Sequence, residues 1–271
     1  MSAKWLDAAR ASQPARLARV LAGDVDTNGR YDEWTLLAAA ASKGRSRNVE
    51  LLLHRGADRD AVAYGARPLH WALRARANIG NAELEARVRT AELLLDAGAD
   101  PHAADAWGRT VFWYACNLAR GKAKGLVARL LTTGPDLLAI DHEGFSILHM
   151  AVSWDHLEVL DGAIAAGGDV NARFEGGKQT AVALAVARGH HEALRRILAA
   201  GATPNVGGDP EASPLALAVW RDDLISLELL LDHGAEVEWM IAEIHSGRRT
   251  ALSAAKQAVL LEQLERHRAR P

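Results

Sequence analysis

Cysteine is nearly absent: the 271 residues contain one, Cys116. No internal disulfide is possible, and a structural zinc site built from several cysteines is excluded. Aromatic residues are also scarce, at 5%. An excess of either charge is missing, since 32 Lys and Arg stand against 34 Asp and Glu, a net charge of −2. Such a chain is not built to neutralise a phosphate backbone, which disfavours general nucleic-acid binding. The N-terminal stretch Met1-Ser2-Ala3-Lys4-Trp5-Leu6-Asp7 lacks the continuous apolar core of a signal peptide. The apolar run from Ala181 to Ala187 falls far below the ~18 residues of a membrane span. These absences predict a cytoplasmic protein of a reducing compartment, with no membrane segment. What is there is ordinary globular composition, 49% apolar and 24% charged. The length is ample for a sizeable core and by size alone fits one or two domains.

One phrase recurs along the chain. It consists of a turn, a Thr or Ser, a small apolar helix, a Leu-rich helix and then Gly-Ala or Gly-Gly. It runs from Thr35 to Gly56, Arg67 to Gly98, Thr110 to Gly134, Ser146 to Gly167, Thr180 to Gly201 and Ser213 to Gly234. The first helix is rich in Ala (Ala38 to Ala41; Ala183, Ala185, Ala187), which allows close approach. The second supplies Leu and Ile, as at Leu51, Leu52, Leu94, Leu95, Ile197 and Leu198. Pro68 and Pro214 suit a first helical turn, where a missing N–H costs nothing. Each closing Gly suits a left-handed C-terminal residue. The copy from Arg67 to Gly98 is longer by about ten residues, around Asn78 to Glu85. Leu84, Val88, Ala91 and Leu94 at helical spacing predict a second helix lengthened by about two turns. A tolerant loop accounts for such an insertion, and a side projection touching a partner is the functional alternative.

These units resemble the ankyrin repeat, with its Thr-Pro-Leu-His turn and a period of ~33 residues. The matching residues are Pro68-Leu69-His70, Ile147-Leu148-His149 and Gly201-Ala202 followed by Asn205. Asp105 to Thr110 and Asp141 to Ser146 match the Asp-x-x-Gly-x-Thr hairpin tip. The resemblance covers residues 31 to 238. It implies an all-α solenoid of stacked helix pairs with short β-hairpin tips, capped at both ends, because one pair alone cannot bury its apolar face. The expected organisation is a single domain over 1–271: an N-terminal cap 1–30, six repeats over 31–238 and a C-terminal cap 239–271. The caps read as helix pairs, Trp5 to Arg10 with Pro14 to Leu21, and Leu252 to Ala258 with Val259 to Arg268. Their charges read as solvated outer faces.

Motifs for chemistry are incomplete. His142-Glu143 and His191-Glu192 lack the second His three residues after the Glu that a helical zinc site needs. Gly176-Gly177-Lys178-Gln179-Thr180 resembles a phosphate loop but has Gln179 where Ser or Thr holds magnesium, and reads better as a hairpin tip. The nucleophile elbow around Ser146 is incomplete. Cys116 reads as a packed thiol. The resemblance implies that His70 and His149 bond neighbouring turn backbone, and that Asn171 and Asn205 stabilise turns. No catalytic residue, metal ligand or cofactor is expected.

The resemblance also implies a binding face made of hairpin tips and the exposed side of each first helix. The tips give Tyr31, Asp32, Trp34, Tyr64, Ala66, Trp107, Arg109, His142, Glu143, Phe145, Gln179, Asp209 and Pro210. The first helices give Ser42, Lys43, Arg74, Asn117, Leu118, Ser153, Trp154, Arg188, Trp220 and Arg221. Trp71 and Trp113 read as core. In a chain so poor in rings, Trp34, Tyr64, Trp107, Phe145, Trp154 and Trp220 all fall on this face, and Trp, Tyr and Arg dominate interface hot spots. The sequence thus predicts a non-catalytic module that binds a partner protein on its concave face. An immunity-type or regulatory inhibitor of a cognate toxin or enzyme is the alternative, and a metal- or small-molecule-binding enzyme the alternative of another class. The Arg-over-Lys, Ala-rich composition is that of a GC-rich bacterial genome.

Overall fold

The computed structural model describes residues 2–23, 25–75, 79–118, 123–174, 176, 179–205, 213–246 and 254–268. The chain divides into two compact units, 1–142 and 143–271. Among the described residues it is helical apart from short hairpin strands and bridges.

The first unit holds α1 (Ser2–Arg10), α2 (Pro14–Leu21), α3 (Leu36–Ala41), α4 (Ser46–His54), α5 (Pro68–Leu73), α6 (Asn81–Asp96), α7 (Val111–Leu118) and α8 (Lys124–Leu131). The first helices α1, α3, α5 and α7 pack side by side in that order, and α2, α4 and α6 form a second row. All six residues of α3 are buried; its four alanines let neighbouring helices approach where Leu would not fit. Leu52, Leu69, Leu94 and Leu130 are fully shielded beside them, each contributing about 2 kcal/mol by burial.

The second unit holds α9 (Ile147–Ser153), α10 (Leu157–Ala165), β1 (Arg173–Phe174), β2 (Gln179–Thr180), α11 (Ala181–Arg188), α12 (His191–Ala199), α13 (Pro214–Trp220), α14 (Leu224–Asp232), α15 (Glu238–Ser246) and α16 (Ala254–Arg268). Here α9, α11 and α13 form one row and α10, α12 and α14 the other. β1 and β2 pair antiparallel, Arg173 with Thr180 and Phe174 with Gln179.

Local chemistry sets the helix starts. The hydroxyls of Thr35, Thr180 and Ser213 accept the backbone N–H three residues on, and Pro68 and Pro214 open α5 and α13. Ser146 and His149 form a reciprocal cap: the Ser146 hydroxyl accepts from the His149 backbone, and His149 Nδ1 accepts from the Ser146 N–H at 3.1 Å. The glycines closing the second helices, Gly56, Gly98, Gly134, Gly167, Gly201 and Gly234, all take positive φ, as expected for left-handed termini.

α6 spans 16 residues against nine in α4, which is the two extra turns expected of the insertion; Asn78 lies outside the described residues. One expectation needs correcting. α16 runs unbroken from Ala254 to Arg268, where the sequence reading divides it between Ala258 and Val259. No Gly or Pro stands there to break it, and its packing partner is α15. No helix among the described residues is long and apolar enough to cross a membrane.

Candidate protein-binding face

In the first unit the hairpin tips lie one against the next. Tyr31 bridges Trp34 across Asp32-Glu33, and Ala63 bridges Ala66 across Tyr64-Gly65. Both two-residue turns have positive φ at both positions, the hairpin geometry that suits strand twist. The Ala106 N–H donates to the Gly65 carbonyl at 2.8 Å, and the His142 N–H to the Trp107 carbonyl at 3.1 Å. A Cβ on Gly65 would stand 2.6 Å from the Ala106 Cβ, so this close approach requires glycine there.

Those tips carry a connected ladder of rings and cations. The Trp34 ring lies 4.6 Å from Trp71 and 5.4 Å from Tyr64. The Arg10 guanidinium sits over Trp34 at 4.8 Å. The Arg74 guanidinium is 5.0 Å from the Trp71 ring and 4.3 Å from the Trp107 ring. Trp71 Nε1–H donates to the Ala63 carbonyl at 2.9 Å, fixing its indole against the second tip. Tyr64 and Trp107 stay 49% and 37% exposed, while Trp34 is half-buried within the cluster. Lys43 is exposed one residue beyond the C-cap of α3.

Arg109 differs in kind. It lies over Trp113 at 4.5 Å and bonds the buried Asp141 carboxylate at 3.0 Å. Burial opposes its charge, but Asp141 more than compensates and the guanidinium is held above its usual range. Tyr114 donates to Asp105 at 2.7 Å, and burial, then that bond, push its hydroxyl up to about 12. Arg109 therefore ties the third tip to the fourth, while its exposed neighbour Trp107 is available for contact. His142 is exposed beside Gly108.

In the second unit the expected residues are dispersed. Phe145 stacks on His149 at 5.5 Å and meets the Phe174 edge at 4.8 Å. Trp154, at the C-cap of α9, is half-buried with the Arg188 guanidinium 5.6 Å from its ring. Glu143, Arg188 and Arg221 are exposed, as is Trp220 at 48%. Asp209 and Pro210 lie outside the described residues, as does Lys178.

Sequence reasoning missed three participants. Arg10 reads as a solvated cap charge, although it precedes Lys43 by one repeat period. Trp71 reads as core but is half-buried and joins the ladder; Trp113 is buried as expected. Arg87 on α6 carries no sequence signal as a clamp. Its guanidinium donates to the carbonyls of Ser42 (2.9 Å), Ala72 (3.1 Å) and Arg74 (3.3 Å), and to Glu83 (2.9 Å). It ties the C-terminal ends of α3 and α5 together directly behind Arg74.

His70, His149 and Cys116 are engaged structurally. His70 Nε2 donates to the Ala103 carbonyl at 3.0 Å and His149 Nε2 to that of Ala172 at 3.1 Å. Cys116 is buried, which pushes its thiol up to about 12. Among the described residues no group of three or more His, Cys, Asp or Glu is placed to hold a metal ion. A groove of about 340 Å³ lies between α14 and α16, lined by Leu224, Leu227, Leu231 and Arg266 among others. None of the ring and cation positions above lines it.

Residues 82–174 match a family model described as ankyrin repeats in three copies, and residues 32–63 match the single ankyrin repeat. The chain is 33% identical over 132 residues to mouse ankyrin repeat and SOCS box protein 14, covering 45% of this chain and 22% of that protein. It is 34% identical over 110 residues to a putative ankyrin repeat-containing protein of Treponema pallidum (strain Nichols), covering 41% and 37%. It is 33% identical over 143 residues to the mouse B-cell lymphoma 3 protein homolog, covering 50% and 30%. In each case the match spans well under half of the relative's own length.

Proposed function

Because this chain is an ankyrin-repeat protein, we propose that it binds a partner protein without catalysis, through a concave face made of its hairpin tips and first helices. Ankyrin repeats are in general protein–protein interaction modules. The observation that carries the reading is the ladder of Trp34, Tyr64, Trp71, Arg74 and Trp107, with Tyr64 and Trp107 left exposed. A solvated surface has no need of such rings, and their residue types are those of hot spots. The rings are already held by one another, so little side-chain entropy is lost on docking. That pre-organisation also suits an inhibitor that covers the active site of a cognate toxin or enzyme. Trp154, Arg188, Trp220 and Arg221 extend the proposed contact set in the second unit, with Phe145, His142, Glu143 and Arg109 at the tips.

The test is paired capture from a lysate of the source organism, using the wild-type chain and a Trp107→Ala variant of equal helix content. A protein retained by the wild type and lost from the variant is expected. The same set of proteins retained by both would remove Trp107 from the interface. If the captured protein is an enzyme, saturation with this chain abolishes its activity under the inhibitor reading and leaves it intact under the adaptor reading.

A further inference from the structure

We propose that the partner segment docking on the first unit is extended and acidic, held by the row Arg10, Lys43 and Arg74; this rests on the protein-binding reading above. Arg10 ends α1, Lys43 stands one residue past the C-cap of α3, and Arg74 is the C-cap of α5. Since α1 packs on α3 and α3 on α5, the three cations lie at the same end of three adjacent helices. None has a carboxylate partner among the described residues. Arg109, Arg67 and Arg87, by contrast, are all ion-paired.

The rings make these cations good receptors. Arg74 has indoles near it on two sides, Trp71 and Trp107, and Arg10 rests on Trp34. Stacking fixes a guanidinium plane while its N–H edge stays available for a carboxylate, so less freedom is lost when the ion pair forms. Arg87 holds the Arg74 carbonyl from behind, which makes it a positioning residue for that side chain.

Spacing sets the ligand pattern. Packed helices are about 9 Å apart, and an extended polyproline II chain advances about 3.1 Å per residue with about three residues per turn. Successive cations therefore meet every third residue along one face of such a segment, so acidic residues at i, i+3 and i+6 match the row. Tyr64 and Trp107 would cover the residues between. Three such cations, on a chain of net charge −2, are few for a phosphate backbone, which favours a protein segment over single-stranded nucleic acid.

The probe is a fluorescein-labelled Glu-Tyr-Ser-Glu-Tyr-Ser-Glu peptide, followed by anisotropy at low salt with the full chain. Comparison probes are its Gln analogue, a peptide of the same composition with the three Glu adjacent, and oligothymidylate. The spaced acidic peptide is expected to bind more tightly than all three. Combining Arg10→Gln, Lys43→Gln and Arg74→Gln should weaken it at least about tenfold with the circular dichroism unchanged. Arg87→Met, with Arg74 intact, should weaken it less than the triple change, and restoring Lys there should recover part of the loss. No binding by the wild type, equal binding by the triple variant, equal binding of the clustered peptide, or tighter binding of oligothymidylate would each overturn the inference. A captured partner that is lost with Trp107→Ala but retained at high salt by the triple variant would sink the acidic segment alone and leave protein binding standing.

Discussion

At the scale of residues, the recurring device is a side chain that serves two backbone groups of the next repeat. Asn28 donates to the Gly56 carbonyl at 3.1 Å and accepts from the Asp58 N–H at 2.7 Å. Asn205 does the same for Gly234 and Glu236, and Asn171 for Gly201 and Thr203. Asp60 can only accept, which it does from the Asp100 N–H, and Arg59 supplies the missing donor to the Gly98 carbonyl. Backbone strain is also local. Glu33 holds φ at +64° in the first hairpin, a conformation that costs an L side chain about 1 kcal/mol relative to glycine. Glu33→Gly should therefore raise stability by about 1 kcal/mol in urea unfolding, since its exposed pair with Arg30 contributes little. An unchanged or lower midpoint would contradict that. His70 gives a pH signature. Burial lowers its pKa from 6.5 despite the bond to Ala103, so the unfolded chain takes up the proton more readily. The stability from neutral His70 is present above about pH 6.5 and is lost as pH falls through and below that value. The thermal midpoint should drop between pH 7.5 and 5.5 in the wild type and drop less in His70→Gln; equal drops would refute the assignment.

At the scale of elements, most of the architecture was legible because it rests on local chemistry. Thr35, Ser146, Thr180 and Ser213 announce helix starts, and the Gly after each second helix announces its end. The longer α6 was legible from Leu84, Val88 and Ala91. What was not legible is who meets whom between repeats. Arg74 reaches Trp107 across 33 residues, and periodicity places both near the tips without saying that they stack. Trp71 shares its place in the repeat with the small Ala39, so its type alone did not reveal a half-exposed ring. Arg87 was invisible because a buried arginine on an amphipathic helix reads as a charged face. Its role gives a prediction: Arg87→Ala should destabilise by about 3 kcal/mol, since several carbonyls and Glu83 lose a shared buried donor. A loss under about 1 kcal/mol by chemical denaturation would show that water replaces it.

At the scale of the whole molecule, the stability of repeats comes from neighbours and not from any single helix pair. The single-domain expectation for 1–271 predicts one urea transition, seen alike by tryptophan fluorescence and circular dichroism; two separated transitions would reject it. Under the proposed function, binding depends on which rings are left uncovered after packing is satisfied. Phe145 and Trp34 are absorbed into ring clusters, whereas Tyr64, Trp107 and Trp220 remain exposed. The most direct test of the central claim is calorimetric titration of the purified partner with Trp107→Ala and with Arg89→Ala, which alters an exposed residue of α6 away from the ladder. Loss of about 2 kcal/mol for Trp107→Ala, roughly a thirtyfold rise in Kd, with no change for Arg89→Ala, is the result predicted. Equal affinities for the wild type and Trp107→Ala would contradict it.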